Sequence, residues 1–340
     1  MLVASLNTRA VLGMDSPKVV VEVHASNGLP SFSIVGLPEA SVKESKDRVR
    51  SALISSGFKL PPKRITVNLA PADLPKTGGR YDLPIAIGIL LATEQLQISD
   101  VNRFEFFGEL ALTGELRGIH GAISSLLASH SENKKIILPF DNLHEAQLLI
   151  ETYPALNETL FLVKDLREAC QVLLGDPPSF SMDLDRIQDS SNSQTRYIED
   201  IADVRGQSQA KRALEISASG HHSMMMVGPP GSGKSMLASR LITLLPDLTA
   251  EEAIEAANIR SISGEVITQE SFYVRPFIHP HHTASAAAMV GGGCHLQKFL
   301  LHYNSFCYRC LKELFKLTNR YISEYIFGQD IFLSRRCNIV

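Results

Sequence analysis

Apolar and polar positions follow two rhythms along the first half of the chain. Short alternating or continuous apolar runs predict strands at Val19–Val23, Ser31–Val35, Arg64–Leu69, Phe104–Leu112, Lys135–Leu138 and Leu160–Val163. Between most of them the period lengthens to that of a helix. Over Ser41–Ser56, Val42, Val49 and Leu53 share one face while Lys43, Lys46 and Arg50 lie elsewhere, as in an amphipathic helix laid on a core. Leu83–Leu96 is apolar nearly all round and is expected to pack deeper; shorter helices fit Ala122–His130, Leu143–Thr152 and Leu166–Leu174. Interleaved strands and helices predict an α/β or α+β fold.

The periodicity lapses between Asp176 and Glu199, where Pro177-Pro178-Ser179, the charges of Asp183–Asp189 and Ser190-Ser191-Asn192-Ser193 form no repeating face. Such composition between two patterned regions marks a boundary. It divides the chain into an N-terminal domain over 1–175, a linker over 176–196 and a second domain over 197–293. A last change comes after Gly293. Residues 294–340 hold four of the five cysteines, nine of the 23 aromatic residues, and seven Lys or Arg against three Asp or Glu. This stretch reads as an aberrant tail in which Cys307, Cys310, His295 and His302 are too sparse a set to assign a zinc or redox site.

A length of 340 residues leaves room for about two domains at ~150 residues each. With 44% hydrophobic and 20% charged residues the composition is globular, and a net charge of −3 gives no global attraction to nucleic acid or membrane, so any DNA contact must be local. The start, Met1 to Arg9, lacks a basic stretch followed by a long apolar one, and the longest apolar run, Leu83–Ala92, is too short to cross a bilayer. An odd cysteine count does not suggest a disulfide frame. A cytoplasmic protein is expected.

The strongest chemistry lies in Met224-Met225-Met226-Val227-Gly228-Pro229-Pro230-Gly231-Ser232-Gly233-Lys234-Ser235, which fits G-x-x-x-x-G-K-[ST] between an apolar run and a predicted helix, Met236 to Ile242. A triphosphate needs several donors at once. Gly228, Gly231 and Gly233 let backbone amides converge without a Cβ in the way, Lys234 would reach the β and γ phosphates, and the Ser235 hydroxyl would ligate Mg²⁺. ATP with Mg²⁺ is therefore the expected ligand, bound by Gly228, Pro229, Pro230, Gly231, Ser232, Gly233, Lys234 and Ser235.

Other residues leave two roles open. Asp82, ahead of Leu83-Pro84, fits a helix N-cap better than a ligand. Lys76 and Arg80, beside Gly78-Gly79, either meet phosphate or stand in a solvated loop. His279, His281 and His282 crowd a proline-containing segment that suits a loop contacting DNA or a neighbouring subunit better than a zinc site.

The order Asp200-Ile201-Ala202-Asp203-Val204-Arg205-Gly206-Gln207, a helix over Ser208–Ser219 and then the glycine-rich loop resembles an AAA+ module of the magnesium-chelatase-like branch. Arg275-Pro276-Phe277-Ile278-His279-Pro280-His281-His282-Thr283-Ala284-Ser285, trailed by Val290-Gly291-Gly292-Gly293, resembles the signature of the ComM-type competence helicases within it. The segments Asn68–Pro84 and Phe107–Arg117 resemble the N-terminal domain of the same proteins, itself similar to the Lon protease domain of the ribosomal S5 domain 2-like fold. The resemblance covers residues 1 to about 293.

It implies a Lon-like domain followed by a partial AAA+ P-loop domain, a homo-hexameric ring, single- and double-stranded DNA as partner, and ATP-driven branch migration during natural transformation. It also implies that Ile201 and Val204 flank the adenine, with plain packing the alternative. A peptidase is not expected, because the nucleophile position of Lon-type enzymes falls on Arg80 and the helix Ala122–Leu127 offers no lysine. Relatives continue into a strand ending in Asp-Glu, the Walker B pair. Here no apolar run after Gly293 ends that way, so the expectation is a truncated chain that binds ATP, is hydrolysis-deficient and contains no catalytic residue. The ATPase subunit of a magnesium chelatase and a non-functional remnant are the other readings.

Overall fold

The computed structural model describes residues 3–98, 100–176, 199–222, 224–265 and 267–277, with the backbone of 331–332. Two compact units emerge, the first built on residues 1–188 with 264–269, the second on 189–263 with 270–340. No described helix is long and apolar enough to cross a membrane.

The first unit is α/β. Its strands are β1 (Val3–Arg9), β2 (Lys18–Ser26), β3 (Ser31–Val35), β4 (Arg64–Ala70), β5 (Phe104–Phe106), β8 (Lys135–Pro139) and β9 (Leu160–Val163), with a separate small hairpin of β6 (Glu109–Leu110) and β7 (Leu116–Arg117). The seven-stranded sheet runs β3-β4-β2-β1-β5-β8-β9. β2 is antiparallel to β1 and β4, and the other four neighbours pair in parallel. Helices α1 (Ala40–Lys43), α2 (Ser45–Ser55), α3 (Asp82–Ala92), α4 (Ala122–Ser131), α5 (Leu143–Thr152), α6 (Leu156–Thr159) and α7 (Leu166–Leu174) complete it.

The fully apolar helix predicted from the sequence is α3. All eleven of its residues are buried, lying on β1 and β2. Gly88 permits that approach, since a Cβ there would stand 2.5 Å from Val23 Cγ2. Each buried Leu or Ile of this helix contributes on the order of 1.5–3 kcal/mol. The helix ends at Ala92, short of the expected Leu96, because Glu94 turns the chain at a φ of +60°. The expected helix over Ser41–Ser56 is broken at Glu44 into α1 and α2. The expected strand Phe104–Leu112 divides into β5 and β6 around Gly108.

Leu6 of β1 faces α3, so Arg9, three residues on, points to the opposite face of the sheet. There it meets α4. Its guanidinium donates to both carboxylate oxygens of Glu105 at 2.7 and 2.9 Å and to the Ser16 carbonyl at 3.1 Å, while Ser129 of α4 donates to the same Glu105. The sheet is thus covered on both faces, α3 on one and α4 on the other.

Three expectations in this unit are corrected. Asp82 is not a cap; it is the first residue of α3, and its carboxylate accepts Arg48 Nε at 2.6 Å, Arg48 Nη2 at 3.1 Å and the Leu110 amide at 3.2 Å. Burial raises the pKa of the Asp82 carboxyl, and the hydrogen bonds and charge of Arg48 oppose that rise; the same contact raises the pKa of Arg48. Lys76 and Arg80 belong neither to a solvated loop nor to a phosphate site, for both are buried. Lys76 Nζ donates to the Pro71 carbonyl, and the Arg80 guanidinium to the Arg9 carbonyl, the His120 carbonyl and the Ser125 hydroxyl. Arg80 is thereby tied to α4 through Ser125.

In the second unit a 3-10 turn, Ile201–Asp203, is capped by Asp200, whose side chain accepts from the Ala202 amide while Asp203 accepts from the Asp200 amide. Then come α8 (Ser208–Gly220), β10 (Met224–Met225), α9 (Lys234–Ser239), a 3-10 turn at Leu241–Leu244, α10 (Ala250–Ser263) and α11 (Gln269–Phe272). β10 pairs antiparallel with β11 (Ile331–Phe332).

Candidate nucleotide site

The sequence expects a strand, a loop and a helix around Gly228–Ser235, and the structure supplies them in reduced form. The strand is only β10, two residues long, and within the apolar run before the loop Met225 and Val227 are 70% and 65% exposed. The helix α9 spans six residues before the chain tightens into the 3-10 turn at Leu241, so the expected helix through Ile242 is also shortened.

The loop is closed on itself. Gly231 and Gly233 take positive φ, +79° and +85°, which residues with a Cβ seldom adopt, and Gly233 caps α9 by accepting the Leu237 amide at 3.0 Å. The Ser232 amide donates to the Pro229 carbonyl at 3.3 Å. Lys234 is the first residue of α9, and its ammonium lies back along the loop, donating to the carbonyls of Gly228 at 2.9 Å and Pro229 at 3.0 Å. A cation is therefore held at the curve of the loop. Pro229, Pro230, Gly231, Ser232 and Ser235 are exposed to solvent, Ser235 in the first turn of α9.

The segment before α8 is laid along α9. Val204 is 3% exposed and shares a small apolar core with Leu214 and Leu237; Ile201 packs on its flank with Leu241 and Leu244. Val204 is thus chiefly a packing residue, while Ile201 keeps a partly exposed side. Polar contacts hold both ends of this segment. Arg240, just past α9, donates Nε to the Asp200 carbonyl at 3.1 Å and pairs with Glu199 at 3.2 Å, and Ser239 donates to Glu199 at 3.0 Å. At the other end the Gln207 side-chain amide donates to the Ser232 carbonyl at 3.3 Å. Sequence reasoning missed Gln207 and Arg240, since neither belongs to an apolar period; Gly206, at a φ of +69° just before Gln207, is the local sign of a turn there.

The remaining expected residues are not brought to this loop. His279, His281 and His282, the linker from residue 177, and Cys307, Cys310, His295 and His302 lie outside the described residues. Among the described residues no group of three His, Cys, Asp or Glu is placed to hold a metal ion.

Two family models match the chain: subunit ChlI of Mg-chelatase over residues 21–142, and magnesium chelatase, subunit ChlI, over residues 200–301, the second reaching past Gly293. Among curated proteins, the uncharacterized protein YifB of Escherichia coli (strain K12) is 48% identical over 293 residues, 86% of this chain and 56% of that protein. Competence protein ComM of Haemophilus influenzae is 47% identical over 294 residues, again 86% and 56%, and the uncharacterized protein Mb2921c of Mycobacterium bovis is 37% identical over 286 residues, 84% and 55%. The chain spans about half the length of these relatives.

Proposed function

The chain belongs to the magnesium-chelatase-like family of AAA+ ATPases and is similar to ComM, and from that premise we infer that the loop Gly228–Ser235 binds ATP with Mg²⁺. The observation that carries the reading is the Lys234 ammonium held on the Gly228 and Pro229 carbonyls, at a solvent-open loop whose glycines turn through positive φ. Those carbonyls are weak partners for a full positive charge compared with phosphate oxygens. Lys234 would exchange them for the β and γ phosphates, the amides of Gly231 to Lys234 would donate to phosphate oxygens, and the Ser235 hydroxyl would hold the Mg²⁺, which neutralises phosphate charge when bound. Ile201 would lie against the adenine, with Val204 supporting it from the core.

We propose that this site is inherited from a DNA-processing machine of the competence type, whose full-length form is a homo-hexameric ring driving branch migration on single- and double-stranded DNA in natural transformation, with the segment of His279, His281 and His282 contacting DNA or a neighbouring subunit. We propose that the first unit is a Lon-like domain reused for assembly or ligand contact; by that resemblance Arg80 falls where such peptidases carry their nucleophile, and here it donates to Ser125 of α4. We further propose that this chain turns ATP over negligibly, because no Asp-Glu pair ends an apolar run after Gly293.

The names of both matching models favour a second reading, the ATPase subunit of a magnesium chelatase. Binding of a fluorescent ATP analogue with and without Mg²⁺ tests the site: Lys234→Ala is expected to weaken it by more than about tenfold, in line with loss of a charge-assisted contact. Unchanged binding sinks the nucleotide reading. An ATPase assay with single-stranded DNA, and one with a porphyrin in its place, separates the two roles; turnover that Lys234→Ala abolishes would overturn the inference of negligible hydrolysis.

A further inference from the structure

The segment from Glu199 to Gln207 is tied to the P-loop helix at two points. Ser239 and Arg240 grip Glu199 and Asp200 at the C-terminal end of α9, and the Gln207 amide reaches the Ser232 carbonyl at its N-terminal end. Between the two ties the segment drops Val204 onto Leu237. It is a strap lying along the helix that opens the phosphate loop.

Gln207 is the unusual part of it. Its backbone sits at φ +51°, ψ +41°, a left-handed conformation that long side chains adopt at a cost. Its amide nitrogen is also the nearest atom to where a Cβ on Gly233 would stand, at 3.2 Å. A side chain in so uncommon a backbone setting, bonded to Ser232 and packed over Gly233, touches the two residues whose turn aims the loop amides.

Resting on the ATP reading above, we propose that Gln207 is a positioning residue for the phosphate half of the site: it fixes the Ser232–Gly233 peptide so that the loop amides converge, and does so without touching the base. The donation to the Ser232 carbonyl pins that peptide plane, and with it the Gly233 amide, because one rigid unit carries both groups. Losing the pin leaves the amides present but free to tilt away from the anion. The expected weakening is modest, about three- to tenfold, the scale of one neutral hydrogen bond.

The test uses the full chain and two probes, a fluorescent ATP analogue with Mg²⁺ and inorganic tripolyphosphate as its competitor. Gln207→Gly removes the side chain while suiting the left-handed backbone, so unfolding is not the expected failure. Gln207→Asn keeps the amide and tolerates the same φ but is one methylene shorter. Both variants are expected to lose affinity for the analogue and for tripolyphosphate by the same factor, with the thermal midpoint of the nucleotide-free chain no lower than that of the unaltered chain for Gln207→Gly. Equal binding by the variants would overturn the inference, and so would a loss confined to the analogue, which would put Gln207 at the base. If the unaltered chain binds neither probe, the ATP reading itself falls and this inference with it.

Discussion

Arg80 donates its Nη1 to the Ser125 hydroxyl at 3.1 Å, joining the turn before α3 to the middle of α4 inside the first unit. Arg80 is 5% exposed, and the other groups it donates to are the backbone carbonyls of Arg9 and His120. Ser125 in turn shares a hydrogen bond with Ser16 at 3.1 Å and donates to the Gly121 carbonyl at 3.2 Å. A guanidinium surrounded by neutral oxygens is a costly thing to bury, and desolvation pulls its pKa down to about 10.

That balance decides how its replacements behave. Arg80→Ala should destabilise the chain by about 3 kcal/mol, through a cavity and unsatisfied carbonyls, and Arg80→Met should recover more than half of that, because it fills the volume and removes the buried charge. The folded pKa lies below the unfolded one, so the cost of burying the cation is fully present below about pH 10 and is relieved only as pH rises from there toward the guanidinium's ordinary value. Urea unfolding at neutral pH therefore sees all of it. A methionine variant less stable than the alanine one would contradict this account.

Asp82→Asn should cost about 3–5 kcal/mol, since it leaves the Arg48 cation facing a neutral amide at the start of a wholly buried helix. The double variant Arg48→Met with Asp82→Asn should be milder than the sum of the singles. Additive losses in a double-mutant cycle would mean that the two side chains act independently.

Glu132, at the end of α4, pairs with Arg9 at 2.6 Å, and that hydrogen bond lowers its pKa below the usual carboxylate range. A depressed carboxyl stabilises the fold above its unfolded pKa, about 4.3, and the stabilisation is lost as pH falls through the lower folded value. The Glu132 side chain is 44% exposed, so solvent screening keeps the effect under about 1 kcal/mol. The stability gap between the native chain and Glu132→Gln should be visible at pH 7 and close below about pH 4. A gap that persists at acid pH would rule out the ion pair as its source.

Cys170 lies in α7 at 6% exposure, and burial pushes its thiol up to about 12. The thiolate is the reactive form, so the peptide carrying Cys170 should resist iodoacetamide at pH 8 and label only when urea opens the first unit. Mass spectrometry of the digested protein reads this peptide separately from the other cysteines. Rapid labelling without denaturant would show the site to be open.

Val204→Ala should lower stability by about 1–2 kcal/mol, in keeping with its place beside Leu214 and Leu237. Ile201→Ala, on the partly exposed flank, should instead weaken the ATP analogue while leaving tripolyphosphate binding unchanged. A matched loss for both probes would remove Ile201 from the base side of the site.

Local pattern was enough for much of this molecule. β2, β3, β4, β8 and β9 lie where apolar runs put them, and α4, α5 and α7 fall close to their predicted bounds, because a strand or amphipathic helix advertises its buried face through its own period. The glycine-rich loop was recognisable as a candidate for a related reason: glycines, lysine and serine at fixed spacing describe backbone chemistry that needs no distant partner. β1 was not legible. It runs through the middle of the sheet yet carries Asn7, Thr8 and Arg9, and a buried arginine looks like surface until Glu105, 96 residues away, is known to face it. Asp82 was misread in the same way, its helix-start position being visible and Arg48 not.

The chain's order of amino acids determined by itself where most segments coil or extend, and it marked Gly228–Ser235 as a candidate phosphate loop, since each of those readings depends on neighbours within a few residues. Only the folded arrangement decided which charges are interior and what satisfies them: Arg80 on Ser125 across 45 positions, Arg48 on Asp82 across 34, Gln207 on Ser232 across 25. A polar side chain carries no periodic mark of its partner; proximity, desolvation and hydrogen-bond geometry assign it.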